Sequence, residues 1–171
     1  MAFLVRKVSR AKWPDEICSI SELNADLMTA DLRTTGNTLS LWRIENEEEL
    51  QSAVLALAAS SKTSKIENVS VVWIPEELFS SKGIRIDNAN VGDTVIFDLQ
   101  NTHRDACDLT YKKLGDVAEI IMNEMLKEGH YKKFTKSEIK TALSNAYLDD
   151  RITEEKCNED LIQEIKKLIK V

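Results

Sequence analysis

Between Thr38 and Pro75 the chain spells strand, helix, strand, and this unit limits the fold more than any other stretch. Thr38-Leu39-Ser40-Leu41-Trp42-Arg43-Ile44 is rich in residues that suit a half-buried strand. Asn46 then opens a helix. It caps the first turn, Glu49 stands three residues on as in a capping box, and Glu47-Glu48 complement the positive end of the dipole. Leu50, Val54 and Leu57 share one face of this helix, which runs to about Ser60. After a loop over Ser61–Glu67, the apolar run Val69–Ile74 reads as a strand stopped by Pro75. The spacing is that of a βαβ-like unit on a sheet.

The flanking segments are weaker signals. Ala2–Val8 alternates loosely and reads as a strand or an extended arm ended by Trp13-Pro14. Ile20, Leu23 and Leu27 outline one short helix over Ile20–Met28, with Ser19 or Ser21 as cap. A hairpin is expected from Ala30–Arg33 through Thr34-Thr35-Gly36-Asn37 into Thr38–Ile44. Pro75-Glu76-Glu77 starts a short helical turn, Ile84 and Ile86 alternate as a short strand, Gly92-Asp93 is a turn, and Val95–Phe97 is another strand candidate. From about Thr102 to Glu128, Cys107, Tyr111, Leu114, Ala118, Ile121 and Met125 step by four and three. That stripe predicts a helix about 40 Å long, closed by Gly129. Thr135-x-x-Glu138 opens a further helix carrying Ile139, Leu143 and Ala146. A last one carries Leu161, Ile165 and Leu168. The expected fold is α+β: a small mixed N-terminal sheet with a helix packed on it over residues 1–100, then a helical region over 101–171.

Composition and charge narrow the function classes. At 43% hydrophobic and 30% charged the chain is globular, and no apolar run approaches the roughly 20 residues that span a bilayer. Phe3-Leu4-Val5 is followed at once by Arg6 and Lys7, unlike a secretory leader. Cys18, Cys107 and Cys157 are odd in number and far apart, as expected of reduced thiols in the cytoplasm. The net charge of −6 sits in residues 45–100, which carry ten acids against four cations. An acidic chain of this kind lacks the basic surface that free-standing DNA binding needs. The last helix, in the place of a recognition helix, opens with Glu159, Asp160 and Glu164, where base contacts would lie. The exception is Arg6, Lys7, Arg10 and Lys12, all before the first acid. With Trp13 beside them they form a candidate contact for a partner or an anion.

No residue set spells out a reaction. His103 and Cys107, four apart on the expected long helix, make one pair where a zinc site needs two. His103 there reads as a surface residue near a helix start. The five glycines are isolated, so no phosphate-cradling loop is present, and neither histidine sits in a nucleophile motif. The expectation is a protein that is not an enzyme and uses neither cofactor nor metal. Its partner-facing residues would be the basic N-terminal group and the long helix at Tyr111, Leu114, Ile121 and Met125.

Several stretches also carry a family resemblance. They are Phe3–Lys7 with Lys12-Trp13, Asp31-Leu32-Arg33-Thr34, Asn37–Ile44, Ala53–Ala58, Val71-Val72-Trp73 and Leu109–Gly115. Together they resemble small accessory subunits encoded beside an ABC or SMC-type ATPase in bacterial antiviral operons, the Lamassu small subunit among them. The resemblance implies a non-enzymatic subunit that bridges an SMC-like ATPase and an effector nuclease, with DNA touched at most through the complex and no membrane involved. It covers about residues 3–115 and carries over no catalytic residue. The alternative reading is an antitoxin or immunity-like protein whose acidic middle third masks a basic partner.

Overall fold

The structure, a computed structural model, describes residues 1–127 and 129–169. Six strands form one sheet: β1 (Phe3–Lys7), β2 (Leu39–Ile44), β3 (Val69–Pro75), β4 (Arg85–Asp87), β5 (His103–Cys107) and β6 (Tyr131–Phe134). Their order is β4-β5-β2-β1-β3-β6, and every neighbouring pair is antiparallel. The architecture is α+β as expected, but the sheet is antiparallel rather than mixed. It draws β5 and β6 from the segment expected to be helical throughout.

The strand-helix-strand unit is present in split form. β2, helix α2 (Leu50–Ala58) and β3 follow one another, yet β2 and β3 do not pair. β1 lies between them, antiparallel to both, in register from Phe3 opposite Ile44 and Pro75 to Val5 opposite Trp42 and Trp73. Of the two readings of this segment, strand or extended arm, the strand is the one present, and it is central rather than peripheral. Leu4 and Val5 are both buried because helices cover both faces of the sheet.

On one face, α2 packs with α5 (Lys136–Leu148) and α6 (Glu159–Ile169) over Val5, Trp42, Val71 and Trp73. On the other, α1 (Ala25–Ala30), α3 (Glu76–Ser81) and α4 (Tyr111–Leu126) cover Leu4, Leu41, Val72 and Ile74. The last two helices therefore belong to the main core through Ile139, Leu143, Leu161 and Ile165.

Local chemistry sets the helix starts. Asn46 Oδ1 accepts from the Glu48 amide at 3.0 Å, and Glu49 accepts from Glu45 N at 2.9 Å, through a 3-10 turn that leads into α2. Asn24 caps α1 by accepting from the Asp26 amide at 2.9 Å, so the single helix expected over Ile20–Met28 is instead a 3-10 turn at Ile20–Glu22 followed by α1. At α5, Thr135 Oγ1 accepts from Glu138 N at 3.3 Å while Glu138 accepts from Thr135 N at 2.7 Å. These bonds hold the Glu138 carboxyl below its usual pKa. Thr135→Ala is expected to cost about 1 kcal/mol in urea unfolding, and an unchanged midpoint would show that the cap adds nothing.

Three other expectations differ from the structure. The long helix begins at Tyr111, not 102, because residues 103–107 are extended in β5 between β2 and β4. Asp108, in the left-handed region at φ 55°, breaks the chain direction, and Thr110 caps the shorter helix by accepting from Lys113 N. The expected last residue, Glu128, lies outside the described residues. Ala30–Arg33 is not a strand arm, although Gly36 and Asn37 make the expected reversal at φ 61° and 59°. Val95–Phe97 contributes only an isolated bridge, Ile96 to Ile152.

Candidate docking surface

The outer face of α4 is crossed by the segment between Trp13 and Asn24. Trp13 anchors it. Its ring is 4% exposed, and its Nε1 donates to Asp31 Oδ2 at 2.8 Å. Arg10 holds the next turn by donating to the carbonyls of Trp13 and Pro14 at 3.0 and 3.2 Å and pairing with Asp15 at 2.7 Å. A capping box on Ser19 and Glu22 shapes the 3-10 turn that follows. The strap then lies directly on the helix. Cys18 Sγ is 3.9 Å from Met122 Sδ, and a Cβ added at Gly115 would sit 3.5 Å from Ile20 Cγ2.

Two concavities flank this crossing. One, of about 640 Å³, is lined by Ile20, Leu23, Met28, Tyr111 and Gly115 among others. The second, of about 420 Å³, lies toward the far end of α4 between Ile17, Leu78, Ile120 and Leu126. Tyr111 is 91% exposed, Ile17 70% and Ile20 36%. Of the seven large hydrophobic side chains exposed among the described residues, these three share one face. Concave apolar surface with exposed aromatic and branched side chains is suited to burying the apolar face of another molecule.

The residues singled out from sequence fall on both sides of this division. Tyr111 is on the exposed face and Leu114 is half-buried, whereas Ile121 and Met125 are buried against the sheet. The stripe is mainly core, because α4 packs beneath β3 rather than projecting from the domain. In the N-terminal group, Lys7 is exposed and Lys12 half-buried. Arg6 turns inward. Its Nε and Nη2 donate to Asp31 O at 3.0 and 2.5 Å and its Nη1 to Ser40 O at 2.8 Å. Burial lowers its pKa, with the Asp31 charge opposing the shift. Arg6 and Trp13 are therefore committed to the fold and not presented to a partner.

The two histidines occupy polar niches that spacing alone did not reveal. His103 is buried on β5, not exposed at a helix start. Its Nδ1 lies 3.2 Å from Asn90 O and its Nε2 3.7 Å from Asp105, while Asn90 Nδ2 donates to Asp105 at 2.6 Å. Burial pushes the nearby Cys107 thiol up, away from thiolate character. At the other end of the sheet, Glu124 is 1% exposed, with His130 Nδ1 at 2.6 Å and Lys127 as a second partner. The His130 ring stacks on Trp73, centroids 5.8 Å apart. A signal for Glu124 existed: it falls seven residues after buried Val117, on the apolar stripe. Among the described residues, no group of three or more His, Cys, Asp or Glu side chains is placed to hold a metal ion. No described helix is long and apolar enough to cross a membrane.

No family model matches the chain, and neither the curated proteins nor the solved structures contain a significant match. The resemblance to accessory subunits of ATPase-based defence systems rests on the residues quoted for it.

Proposed function

We propose that this protein is a non-enzymatic assembly subunit that docks partner proteins through the outer face of α4. The observation that carries the reading is the grouping of Ile17, Ile20 and Tyr111 around two apolar concavities on one helix. A side chain as large as Tyr111 left 91% in water costs nothing to recruit from the fold and gains by burial elsewhere. The resemblance supplies the partner class: an SMC-like ATPase and an effector nuclease in a cytoplasmic bacterial antiviral complex, with DNA reached only through them. The exposed acids Glu45, Glu47, Glu48 and Glu49 favour a second reading, an antitoxin-like protein that masks one small basic partner.

Affinity purification from the native operon separates the two. An assembly subunit brings down a large ATPase at fixed ratio, and the double variant Ile20→Asp, Tyr111→Asp loses it while keeping the wild-type melting temperature. Recovery of a single small basic protein would favour the second reading. Recovery of neither ATPase nor nuclease would sink the first.

A further inference from the structure

Among the described residues the sheet ends on two edge strands, β4 and β6, and their chemistry differs. The middle of β6 is Lys132-Lys133, both exposed, and the strand carries no acid. Pairing that edge with a copy of itself would set lysine against lysine. β4 has the opposite character: Arg85-Ile86-Asp87 is a cation, an apolar centre and an anion. β5 is its only strand neighbour among the described residues, and no further backbone–backbone bond reaches the three. Ile86, opposite Ala106, packs half-buried on the α4 side of the sheet. Arg85 and Asp87, opposite Cys107 and Asp105, alternate to the other face. There Arg85 Nη1 meets Asp87 at 2.6 Å and its Nε meets Asp108 at 3.1 Å, yet the Arg85 and Asp87 side chains stay 56% and 31% exposed.

From this layout we infer that the β4 edge pairs with the β4 edge of a second copy of this chain, antiparallel and centred on Ile86, so that the two sheets run on as one. A strand that reads plus, apolar, minus is its own complement when turned about a two-fold axis. Arg85 then faces the partner's Asp87, and Asp87 faces the partner's Arg85. The existing Arg85–Asp87 contact runs along one strand and the new ones run across, so the four charges alternate and none faces its own sign. Asp108 follows Cys107 on the β5 side of Arg85, away from the free edge. On the opposite face Ile86 meets the partner's Ile86, and each covers apolar surface the other leaves in water. The flanking stretches Gly83-Ile84 and Asn88-Ala89-Asn90 are uncharged, so pairing that extends past the triplet meets no repulsion. A ladder this short makes a small interface, and the dimer is expected to dissociate in the range of tens of micromolar, roughly. None of the three residues lines the concavities beside α4, so the inference stands apart from the docking role proposed above.

Analytical ultracentrifugation of the full chain, over a series from about 1 µM to about 1 mM, tests this and should show a reversible dimer. Arg85→Asp and Asp87→Arg, each alone, place like charges opposite one another twice in the dimer and should weaken it at least about tenfold. The double swap Arg85→Asp, Asp87→Arg restores the complement and should recover dimerisation. An equimolar mixture of the two single variants should likewise form a mixed dimer that neither forms alone. Both sites are exposed, so the melting temperature should stay near that of the wild type. A general loss of structure would be rescued neither by the swap nor by the mixture. A chain that stays monomeric across the series, or a dimer indifferent to the single reversals, overturns the inference. So does a dimer lost in the single variants and recovered in neither the swap nor the mixture.

Discussion

Asp31→Ala is expected to lower the unfolding free energy by about 2–4 kcal/mol, a large part of what holds a domain of this size together. The carboxylate is 7% exposed and accepts from Ser9 N at 2.6 Å and from Trp13 Nε1 at 2.8 Å. Its own carbonyl receives the Arg6 guanidinium. One residue thus joins the end of β1, the turn after it and the end of α1. Alanine leaves the buried Trp13 indole N–H and the partly buried Ser9 amide without an acceptor, and takes the nearest countercharge from Arg6. Each loss costs more than the net worth of an ordinary hydrogen bond. Asp31→Asn keeps one acceptor oxygen and should fall between alanine and wild type. Urea unfolding followed by tryptophan fluorescence measures all three. A loss below about 1 kcal/mol for alanine would show that the cluster relaxes around the gap. Because Trp13 also anchors the strap, the same variant should weaken partner docking even where the domain stays folded.

Gly92→Ala is expected to cost about 1–3 kcal/mol through steric conflict alone. An added Cβ would lie 2.4 Å from Trp42 Cη2, 2.9 Å from Cζ3 and 2.8 Å from His103 Cβ. Neither wall yields easily. Trp42 is buried in the core on β2, His103 packs edge-on against it at 5.5 Å, and Gly92 is held by its amide donating to Gln100 O at 3.0 Å. A companion change separates this cause from a general loop defect. Trp42→Phe removes the two Trp42 atoms that clash and leaves only the His103 Cβ contact, so the double variant should lose less than the two single losses combined. Additive losses would refute the steric account.

Short-range signals were read correctly where the chemistry is local. Asn46 and Thr135 cap where spacing placed them, and Gly36-Asn37 reverses the chain. What escaped depended on partners distant in sequence. His103–Cys107 fitted a helical stripe because Cys107, Tyr111 and Leu114 keep helical spacing. Its true conformation is set by pairing with β2 and by Asn90 closing over His103 and Asp105. β6 buries only Phe134 and was invisible as a strand, since its order comes from β3 beside it and its exposed Lys132 and Lys133 guard a sheet edge. Phe3-Leu4-Val5 carries the weak alternation of a strand covered on both faces, which left strand and extended arm undecided from sequence. The basic N-terminal cluster looked available because nothing in its own neighbourhood announces Asp31 as the acceptor for Arg6 and Trp13. The proposed docking face was only half legible. Tyr111 was named, while Ile17 and Ile20 stand in a stretch whose pattern was too weak to show which side faces water.

The place of β1 has a consequence for how the chain acquires its shape. The earliest of the six strands in chain order is the one that must end up flanked on both sides, by Ile44 and by Pro75 in the register of Phe3. It cannot be satisfied until the chain as far as Pro75 has been made, and β3 in turn waits for Tyr131–Phe134. Nearly every pairing that closes the sheet therefore joins distant segments, a topology associated with folding in milliseconds to seconds rather than microseconds. During synthesis the nascent Phe3-Leu4-Val5 run stays exposed, open to chaperones and to wrong edges alike. Trimming those few residues would remove the middle of the sheet, not its margin.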